Sequence, residues 1–430
     1  MPELRFPEGF LWGTATSGHQ VEGDNVHSDW WAWENMPGSP VREPSGRACE
    51  HFWRYPADVR LLAELGLNTY RFSVEWSRVE PEDRMIETSA LAHYRDVVEA
   101  VRAAGMTPVV TLNHFTLPAW LGRRGGWLNP RAPERFASYC ARVVEFLGDR
   151  VDWYATINES ASVAFGGYLG ALDFPPGRKD LRSWERANQA LVAAHQAARE
   201  AIHGVRPQAR VGQTFTITEW AASGGGVPVV EYLRAMMEDV FVEASADDDW
   251  VGVQSYTREH LAAPAVLEPV LRRALASGLV RRLVVPPAVR VATRGFGGPR
   301  RMAPGTRTTL MGYEYRPEAI GAAVRRVAEL LPGKPILITE HGVATKDDAE
   351  RVEYISRGLA TVRECLDDGL PVLGYLHWSA FDNFEWALGY RPTFGLIGVD
   401  RQTQERIVRP SARFLGEIAR SGVLALPGDS

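Results

Sequence analysis

The stretch KPILITEHG, residues 334–342, places a carboxylate at the end of an apolar run. The run from Ile336 to Ile338 is too short for a helix and has the character of a parallel strand buried on both faces. Glu340 follows it, and Gly342 permits a tight exit. Such a carboxylate is either a salt-bridged residue at the rim of a sheet or a catalytic acid, base or nucleophile. The residues at the other strand ends decide between these interpretations.

The composition limits the kind of protein. The chain has 430 residues, 45% hydrophobic and 23% charged, which is typical of a globular protein with a substantial core. A net charge of −5 gives no support for nucleic-acid binding. No secretory signal and no apolar run of membrane-spanning length is visible. The three cysteines lack zinc or redox spacing, so we expect reduced thiols in a cytoplasmic protein without metal or cofactor. The 14 tryptophans suit either a sugar site or an aromatic core.

Strand-like and helix-like segments alternate along the chain. We predict eight strands, at residues 10–16, 68–74, 107–113, 153–158, 210–216, 250–256, 336–338 and 372–378. We predict helices at residues 56–65, 89–104, 133–147, 183–203, 229–244, 317–331, 347–366 and 410–420, with Ser89 as one helix cap. This alternation predicts a closed (β/α)8 TIM barrel that forms a single domain over residues 1–430. An open doubly wound sheet is the alternative, but no glycine-rich phosphate turn follows the first strand.

Residues 261–315 interrupt the alternation and are too long for a plain loop. We predict that they form an excursion over the barrel mouth, between strand six and its helix. Within them, residues 266–285 have the pattern of an amphipathic basic helix. The helix carries four arginines, Arg272, Arg273, Arg281 and Arg282. Binding of this helix to a membrane surface or a partner is an alternative hypothesis, although we do not expect membrane association.

Catalytic groups of such barrels lie at the C-terminal ends of the strands. Polar and aromatic residues occur at or near those ends: Gln20, Arg71, His114, Asn158, Glu159, Tyr256, Glu340 and Trp378. We therefore prefer the catalytic interpretation of Glu340. Two carboxyl groups across a pocket suit glycoside hydrolysis, in which one carboxylic acid protonates the leaving oxygen and one carboxylate attacks the anomeric carbon. Arg71 beside Glu340 would keep that carboxylate charged, while nearby negative charge would keep Glu159 protonated.

These motifs resemble glycoside hydrolase family 1, the β-glucosidase family, over nearly the whole chain. The matching segments are FLWGTAT (10–16), QVEG (20–23), YRFS (70–73), EWSR (75–78), TINE (156–159), ITE (338–340) with Gly342, WS (378–379), DNFEW (382–386) and FGL (394–396). Their order and spacing together are highly specific. The resemblance implies a retaining β-glycosidase, monomeric or homo-oligomeric, whose small substrates are β-glucosides, with β-galactosides or β-fucosides as further options.

The resemblance also implies a role for each matching residue. Glu340 is the nucleophile, Glu159 is the general acid and then the base, and both Arg71 and Tyr256 bond to the nucleophile. The residues implied to bind the sugar are Gln20, His114, Asn158, Trp378, Glu385, Trp386 and Phe394. Trp378 is the stacking platform, and its peptide bond to Ser379 is expected to be cis. Glu385 indicates a sugar without phosphate.

Four positions differ from the usual pattern of the family, namely Ser160, Gln254, Ser255 and His341. We expect His341 and Gln254 on the aglycone side of the pocket. Our hypothesis is that His341, which can titrate near neutrality, shapes the leaving-group side. Two other functions are open on the sequence: a transglycosylase with an apolar acceptor, and a catalytically silent sugar-binding protein.

Overall fold

The computed structural model describes residues 3–278, 280, 281, 283, 285 and 305–425. Its centre is a closed barrel of eight parallel strands. In chain order they are β1 (Leu11–Ala15), β2 (Thr69–Ser73), β3 (Thr107–Asn113), β4 (Trp153–Asn158), β5 (Arg210–Thr216), β6 (Trp250–Gln254), β7 (Ile336–His341) and β8 (Val372–Trp378). Consecutive strands pair, and β8 pairs with β1 to close the ring. The predicted (β/α)8 barrel is confirmed.

Helices follow the strands along the chain. The longer ones in the described residues are α1 (His51–Glu64), α2 (Thr88–Ala103), α3 (Ala132–Leu147), α4 (Ser160–Tyr168), α5 (Leu181–Val205), α6 (Val227–Arg234), α7 (Glu268–Ala276), α8 (Ala319–Leu330), α9 (Asp348–Asp367) and α10 (Pro410–Ser421). Short helices span Gly18–Val21, Asp29–Glu34, Trp76–Val79, Ala119–Arg123 and Val240–Ala244. Short strand pairs join Glu3–Arg5 to Val423–Ala425, Ile397–Val399 to Arg406–Val408, and Glu219–Gly224 to Arg258–Ala263.

The helices form where apolar residues recur at helical spacing. In α3, Phe136, Cys140, Val143 and Leu147 are buried on one face. The predicted cap at Ser89 is wrong by two residues. Glu87 caps α2, because its carboxylate accepts from the backbone N–H of Ser89 over 3.2 Å.

Large side chains fill the N-terminal half of the barrel interior. Trp153 and Trp250 pack edge to face with ring centroids 5.5 Å apart, and Val109, Leu337 and Leu376 pack around them. This packing closes the barrel from below. The polar residues at the strand ends are therefore left at the C-terminal end.

The segment after β6 differs from its prediction. Residues 266–285 do not form one helix, because α7 ends at Ala276 and Ser277 adopts an extended conformation. Arg272 pairs with Glu231 of α6 over 2.7 Å, so this arginine packs the segment against the protein. Arg282 and residues 286–304 lie outside the described residues. No helix in the described part of the chain has the length and apolar character needed to cross a bilayer.

The chain returns from this excursion beside the C-terminal end of the barrel. The backbone N–H of Leu310 donates to the carbonyl of Ala344 over 2.9 Å. Met311 is buried in an apolar cluster with Ala344, Trp378 and Phe394. The end of the excursion thus packs against residues that the sequence assigns to the sugar site.

Candidate active site

Arg71, on β2, donates hydrogen bonds to side chains of three other barrel strands. Its side chain is fully buried, and Nη1 donates to Oε1 of Glu340 over 2.6 Å. Nη2 donates to Oδ1 of Asn158 over 2.5 Å, and Nε donates to Oγ1 of Thr111 over 3.0 Å. The planar guanidinium therefore fixes both the carboxylate on β7 and the amide at the end of β4.

The second oxygen of Glu340 is held by a tyrosine. The hydroxyl of Tyr256 donates to Oε2 of Glu340 over 2.5 Å. Burial raises the pKa of Glu340 above its ordinary value, and the charge of Arg71 and the hydrogen bonds from Tyr256 and Arg71 offset only part of this effect. Both carboxylate oxygens thus have a donor, and the adjacent cation stabilises the ionised form.

Glu159 has different surroundings. It precedes α4 in a left-handed conformation, with φ of +46°, and it is buried. The hydroxyl of Ser162 donates to its Oε2 over 2.6 Å. Burial, and then the negative charge of Glu340, raise the pKa of Glu159 to about 8, against smaller opposing effects of Ser162 and Arg71. The site therefore combines a carboxyl group that keeps its proton at neutral pH with a carboxylate bound to a cation.

Asn158 and His114 are held in defined orientations. Oδ1 of Asn158 accepts from Arg71 and, over 2.9 Å, from Nε2 of Gln254. Its Nδ2 therefore faces Nε2 of His114, at 3.2 Å, so Nε2 accepts and Nδ1 carries the proton of the neutral ring. Burial and the charge of Arg71 hold the pKa of His114 well below its ordinary value. Its buried Nδ1 makes no hydrogen bond to the described residues and has a free donor.

Gln20 and Glu385 form a second polar group. Nε2 of Gln20 donates to the carbonyl of Phe384 over 2.7 Å and lies 3.4 Å from Oε2 of Glu385. Oε1 of Gln20 is buried without a hydrogen-bond partner among the described residues. Burial, followed by the charges of Glu340 and Glu159, raises the pKa of Glu385 to about 8. These groups offer donors and acceptors to several neighbouring hydroxyls.

Aromatic rings lie next to this polar set. His114 stacks on Trp378 and on Trp386, with centroid distances of 5.7 and 6.3 Å. The Trp378–Ser379 peptide bond is cis, as the resemblance implies. Phe394 packs edge to face on Tyr256 at 5.9 Å, beside Trp378. Flat apolar faces next to hydroxyl-binding groups suit a sugar ring, which has an apolar face and a polar edge.

The structure does not bring His341 to the pocket. A shift in the register of β7 after Ile338 leaves the side chain of Glu340 inside the barrel, and the next side chain, His341, points away from the interior. Its Nε2 lies 3.1 Å from the carbonyl of Pro317, its Nδ1 lies 2.9 Å from the hydroxyl of Tyr375, and its ring stacks on Tyr354. Burial lowers its pKa to about 3. The expectations of an aglycone contact and of titration near neutrality are wrong for this residue.

The other unusual positions also lie behind the pocket. Gln254 is fully buried and bonds to Asn158 and to Thr214, so it supports Asn158 instead of facing the aglycone. The Oγ of Ser160 accepts a hydrogen bond from Nε2 of Gln213. Ser255 is buried as well.

The sequence interpretation missed four residues at the site. They are Thr111, Thr214 and Ser162, which bond to Arg71, Asn158 and Glu159 respectively, and Met311, which belongs to the apolar cluster that includes Trp378. Thr111 and Thr214 could have been found as polar positions on buried strands, and Ser162 as the residue one helical turn after Glu159. Met311 had no local signal, because the excursion brings it back from a distant part of the sequence.

Comparisons with known proteins agree with this geometry. The model of glycosyl hydrolase family 1 matches residues 3–226 and 238–423. The chain is 29% identical to β-glucosidase A of Thermotoga maritima over 98% of this chain and 99% of that protein. It is 31% identical to a bifunctional β-D-glucosidase/β-D-fucosidase of Bifidobacterium breve, covering 94% of this chain and 96% of that protein.

A solved structure shows the same likeness in three dimensions. The β-glycosidase from Pyrococcus horikoshii superposes with a TM-score of 0.84 at 33% identity, covering 99% of this chain and 97% of that one. A match of this extent in sequence and structure sets aside the catalytically silent alternative. The chain belongs to glycosyl hydrolase family 1 and is a glycoside hydrolase with β-glycosidase activity.

Proposed function

We propose that the protein is a retaining β-glucosidase that works by double displacement. The observation that carries this proposal is the unequal treatment of the two carboxyl groups. Glu340 is paired with Arg71, whereas the pKa of Glu159 is raised to about 8. A retaining glycosidase needs one ionised nucleophile and one protonated acid in a single pocket.

In the first step, Glu159 gives its proton to the glycosidic oxygen while a Glu340 oxygen attacks the anomeric carbon. The glycosidic bond breaks, the aglycone leaves as an alcohol, and the sugar becomes an ester of Glu340. Glu159 is then ionised. In the second step it takes a proton from water, the water oxygen attacks the anomeric carbon, and the ester bond to Glu340 breaks. Two inversions retain the β configuration.

The sugar preference rests on the residues around the ring. Gln20 and Glu385 would bond to the hydroxyls at positions 4 and 6, and His114 and Asn158 to those at positions 3 and 2. The relatives named as a β-glucosidase and as a β-glucosidase/β-fucosidase support β-glucosides as main substrates. β-Fucosides and β-galactosides are the competing sugars, since they differ from glucose at these same positions.

Transglycosylation is a second candidate outcome of the same glycosyl-enzyme. Met311, Ala344 and Phe394 form an apolar cluster beside Trp378. An apolar alcohol held there would compete with water for the sugar ester. Product analysis with added hexanol and with added glycerol tests this, because preference for hexanol supports the candidate and water-only products contradict it.

Azide rescue of two glycine variants tests the retaining mechanism. Glu340→Gly should lose turnover of aryl β-glucosides, and azide in the vacated space should attack the substrate to give α-glucosyl azide. Glu159→Gly should still form the ester from an activated aryl glucoside, and azide should then give β-glucosyl azide. Opposite azide anomers from the two variants support the proposal, whereas the same anomer from both contradicts it.

A buried glutamate outside the pocket provides the control. Burial raises the pKa of Glu238 to about 7, and Glu238 accepts from the indole N–H of Trp220 over 2.7 Å. Glu238→Gln should retain turnover and form no glucosyl azide. The loss in the two glycine variants can then be assigned to the pocket and not to the removal of any buried carboxyl group.

A further inference from the structure

Ser162 meets the carboxyl group of Glu159 on the first turn of α4. Its Oγ donates to Oε2 over 2.6 Å, and the two residues are one helical turn apart. The carboxyl group of Glu159 does not cap the backbone N–H groups of this turn. Within the described residues, Ser162 is therefore the donor that fixes the rotation of this carboxyl group.

We propose that Ser162 is a positioning residue that assigns the acid proton of Glu159 to Oε1. A hydroxyl that donates to Oε2 uses a lone pair of that oxygen, which leaves Oε1 to carry the proton. The opposite arrangement places the proton on Oε2, pointing at Ser162, where it is withheld from a glycosidic oxygen. That arrangement also leaves the Ser162 hydroxyl without an acceptor, since it bonds to no other described residue. Loss of an acceptor is unfavourable for this partly buried hydroxyl.

The same contact helps Glu159 in its second role. A hydroxyl bonds more strongly to a carboxylate than to a neutral carboxyl group, so Ser162 favours the ionised form that acts as the base. The contact opposes the effects of burial and of Glu340, which raise the pKa of Glu159. Ser162 thus limits the rise in the pKa of Glu159. With a higher pKa, Glu159 would be a weaker proton donor, and less of it would be ionised to act as the base. This inference rests on the proposed retaining mechanism.

Four charged or titratable groups interact with Glu159 from other elements. Glu340 on β7 and Arg71 on β2 affect its pKa, and Glu159 in turn affects the pKa of Tyr256 and of Glu385. The pKa of Glu385 is also raised to about 8, so it titrates in the same range. The two can be separated by the leaving group. Glu385 is proposed to contact the sugar, so its ionisation affects all glucosides alike, whereas an acid is needed only for poor leaving groups.

The test is the pH profile of kcat/KM for phenyl and 2,4-dinitrophenyl β-glucosides. In Ser162→Ala the basic limb of the kcat/KM profile for the phenyl glucoside should shift to higher pH by about 0.5–1 pH unit. Its rate at pH 6 should fall about 3- to 10-fold through loss of orientation. The dinitrophenyl glucoside should change by less than about twofold, because its leaving group needs little protonation.

Two further comparisons separate the hydrogen bond from packing. Ser162→Thr keeps a hydroxyl and should retain the wild-type pH profile. Ser162→Val has nearly the shape of the threonine variant but lacks the donor, so it should behave like Ser162→Ala. Ser160→Ala is the matched control, because Ser160 lies on the same turn but bonds to Gln213. It should leave the basic limb in place. If Ser162→Ala fails to fold, the threonine and valine variants give the answer.

The outcomes distinguish this inference from the proposed function. If the wild type turns over neither glucoside, the proposed function fails. If the wild type turns over both, and the alanine and valine variants keep its basic limb and its ratio of phenyl to dinitrophenyl rates, the assigned role of Ser162 is wrong. A shift that Ser160→Ala reproduces would also contradict it.

Discussion

The two carboxyl groups that we propose as catalytic lie in regions that are built in different ways. Glu340 lies near the end of a buried strand. Its Oε1 accepts a hydrogen bond from Nη1 of Arg71, and its Oε2 accepts one from the hydroxyl of Tyr256. Glu159 precedes a helix, and its Oε2 accepts a hydrogen bond from the hydroxyl of Ser162 on the first turn of that helix. The first region spans several barrel strands and includes a cation, whereas the second is local and neutral.

This difference shows how one pocket can hold two glutamates in different ionisation states. Both are buried, and burial alone raises both pKa values. The cation beside Glu340 opposes that effect, and the resulting negative charge adds to it at Glu159. The proposed division into acid and nucleophile therefore follows from the position of one arginine. The following variants test the two regions separately.

Arg71→Met should have the largest effect, because it removes the cation from the first region. Glu340 then favours its protonated form, so the acid limb of kcat/KM moves to higher pH and turnover falls on the order of 10²–10³-fold. The free energy of unfolding should fall by about 3–5 kcal/mol, since a buried charge loses its partner. Urea unfolding and pH-rate profiles measure the two effects.

The double variant Arg71→Met/Glu340→Gln is the control for that interpretation. It leaves no unpaired charge at this position, so it should recover part of the lost stability without activity. A single variant that loses less than about 1 kcal/mol would show that Arg71 does not hold a charged Glu340.

Tyr256→Phe should have a smaller effect, because Arg71 still holds the other oxygen of Glu340. Loss of one hydrogen bond to a charged group should lower kcat/KM about 10- to 100-fold and move the acid limb to higher pH. Tyr354→Phe is the matched control, since the Tyr354 hydroxyl donates to the backbone carbonyl of Tyr256 and not to the carboxylate. Equal acid limbs in all three proteins would contradict the assigned contact.

His341→Asn should have the smallest effect on catalysis and should change stability instead. His341 is neutral in the folded protein with a pKa of about 3, against 6.5 for the ordinary group. The unfolded chain therefore binds a proton first as pH falls below about 6.5, and the stability of the wild type decreases in that range. Asparagine does not titrate, so the stability gap between the two proteins should narrow by about 2 kcal/mol between pH 7 and pH 5.

The measurement is urea unfolding at both pH values, with kcat/KM for several aryl glucosides as the second readout. A changed ranking of aglycones in His341→Asn would show that the buried position of His341 does not describe its role. A constant stability gap would contradict its low pKa.

The sequence predicts the barrel well because its strands are continuous buried runs. The bounds of β3, β4, β5 and β8 agree with the predicted segments. Helix α4, at Ser160–Tyr168, was missed. Eight of its nine residues are buried, so the helical period of apolar and polar residues that reveals a surface helix is absent.

The site was predictable to the extent that strand ends meet at one face of a barrel. Arg71, Tyr256 and Glu340 come together for that reason. His341 was misplaced because its position beside Glu340 in sequence was taken as a position beside it in space. Strict alternation from the interior residue Leu337 would also place His341 inside, and the register shift of β7 after Ile338, which the sequence does not reveal, turns His341 outward. Met311 depends on the path of residues 261–315, which has no regular period.

Trapping of the glycosyl-enzyme tests the central claim most directly. The protein is incubated with 2-deoxy-2-fluoro-β-glucosyl fluoride, in which the electron-withdrawing fluorine slows loss of the ester, and is then digested for peptide mass spectrometry. We predict one fluoroglucosyl group per chain, attached to Glu340 in the peptide that contains residues 336–342. Attachment at Glu159, or turnover of β-glucosides that yields α-glucose as first product without any adduct, would contradict the account.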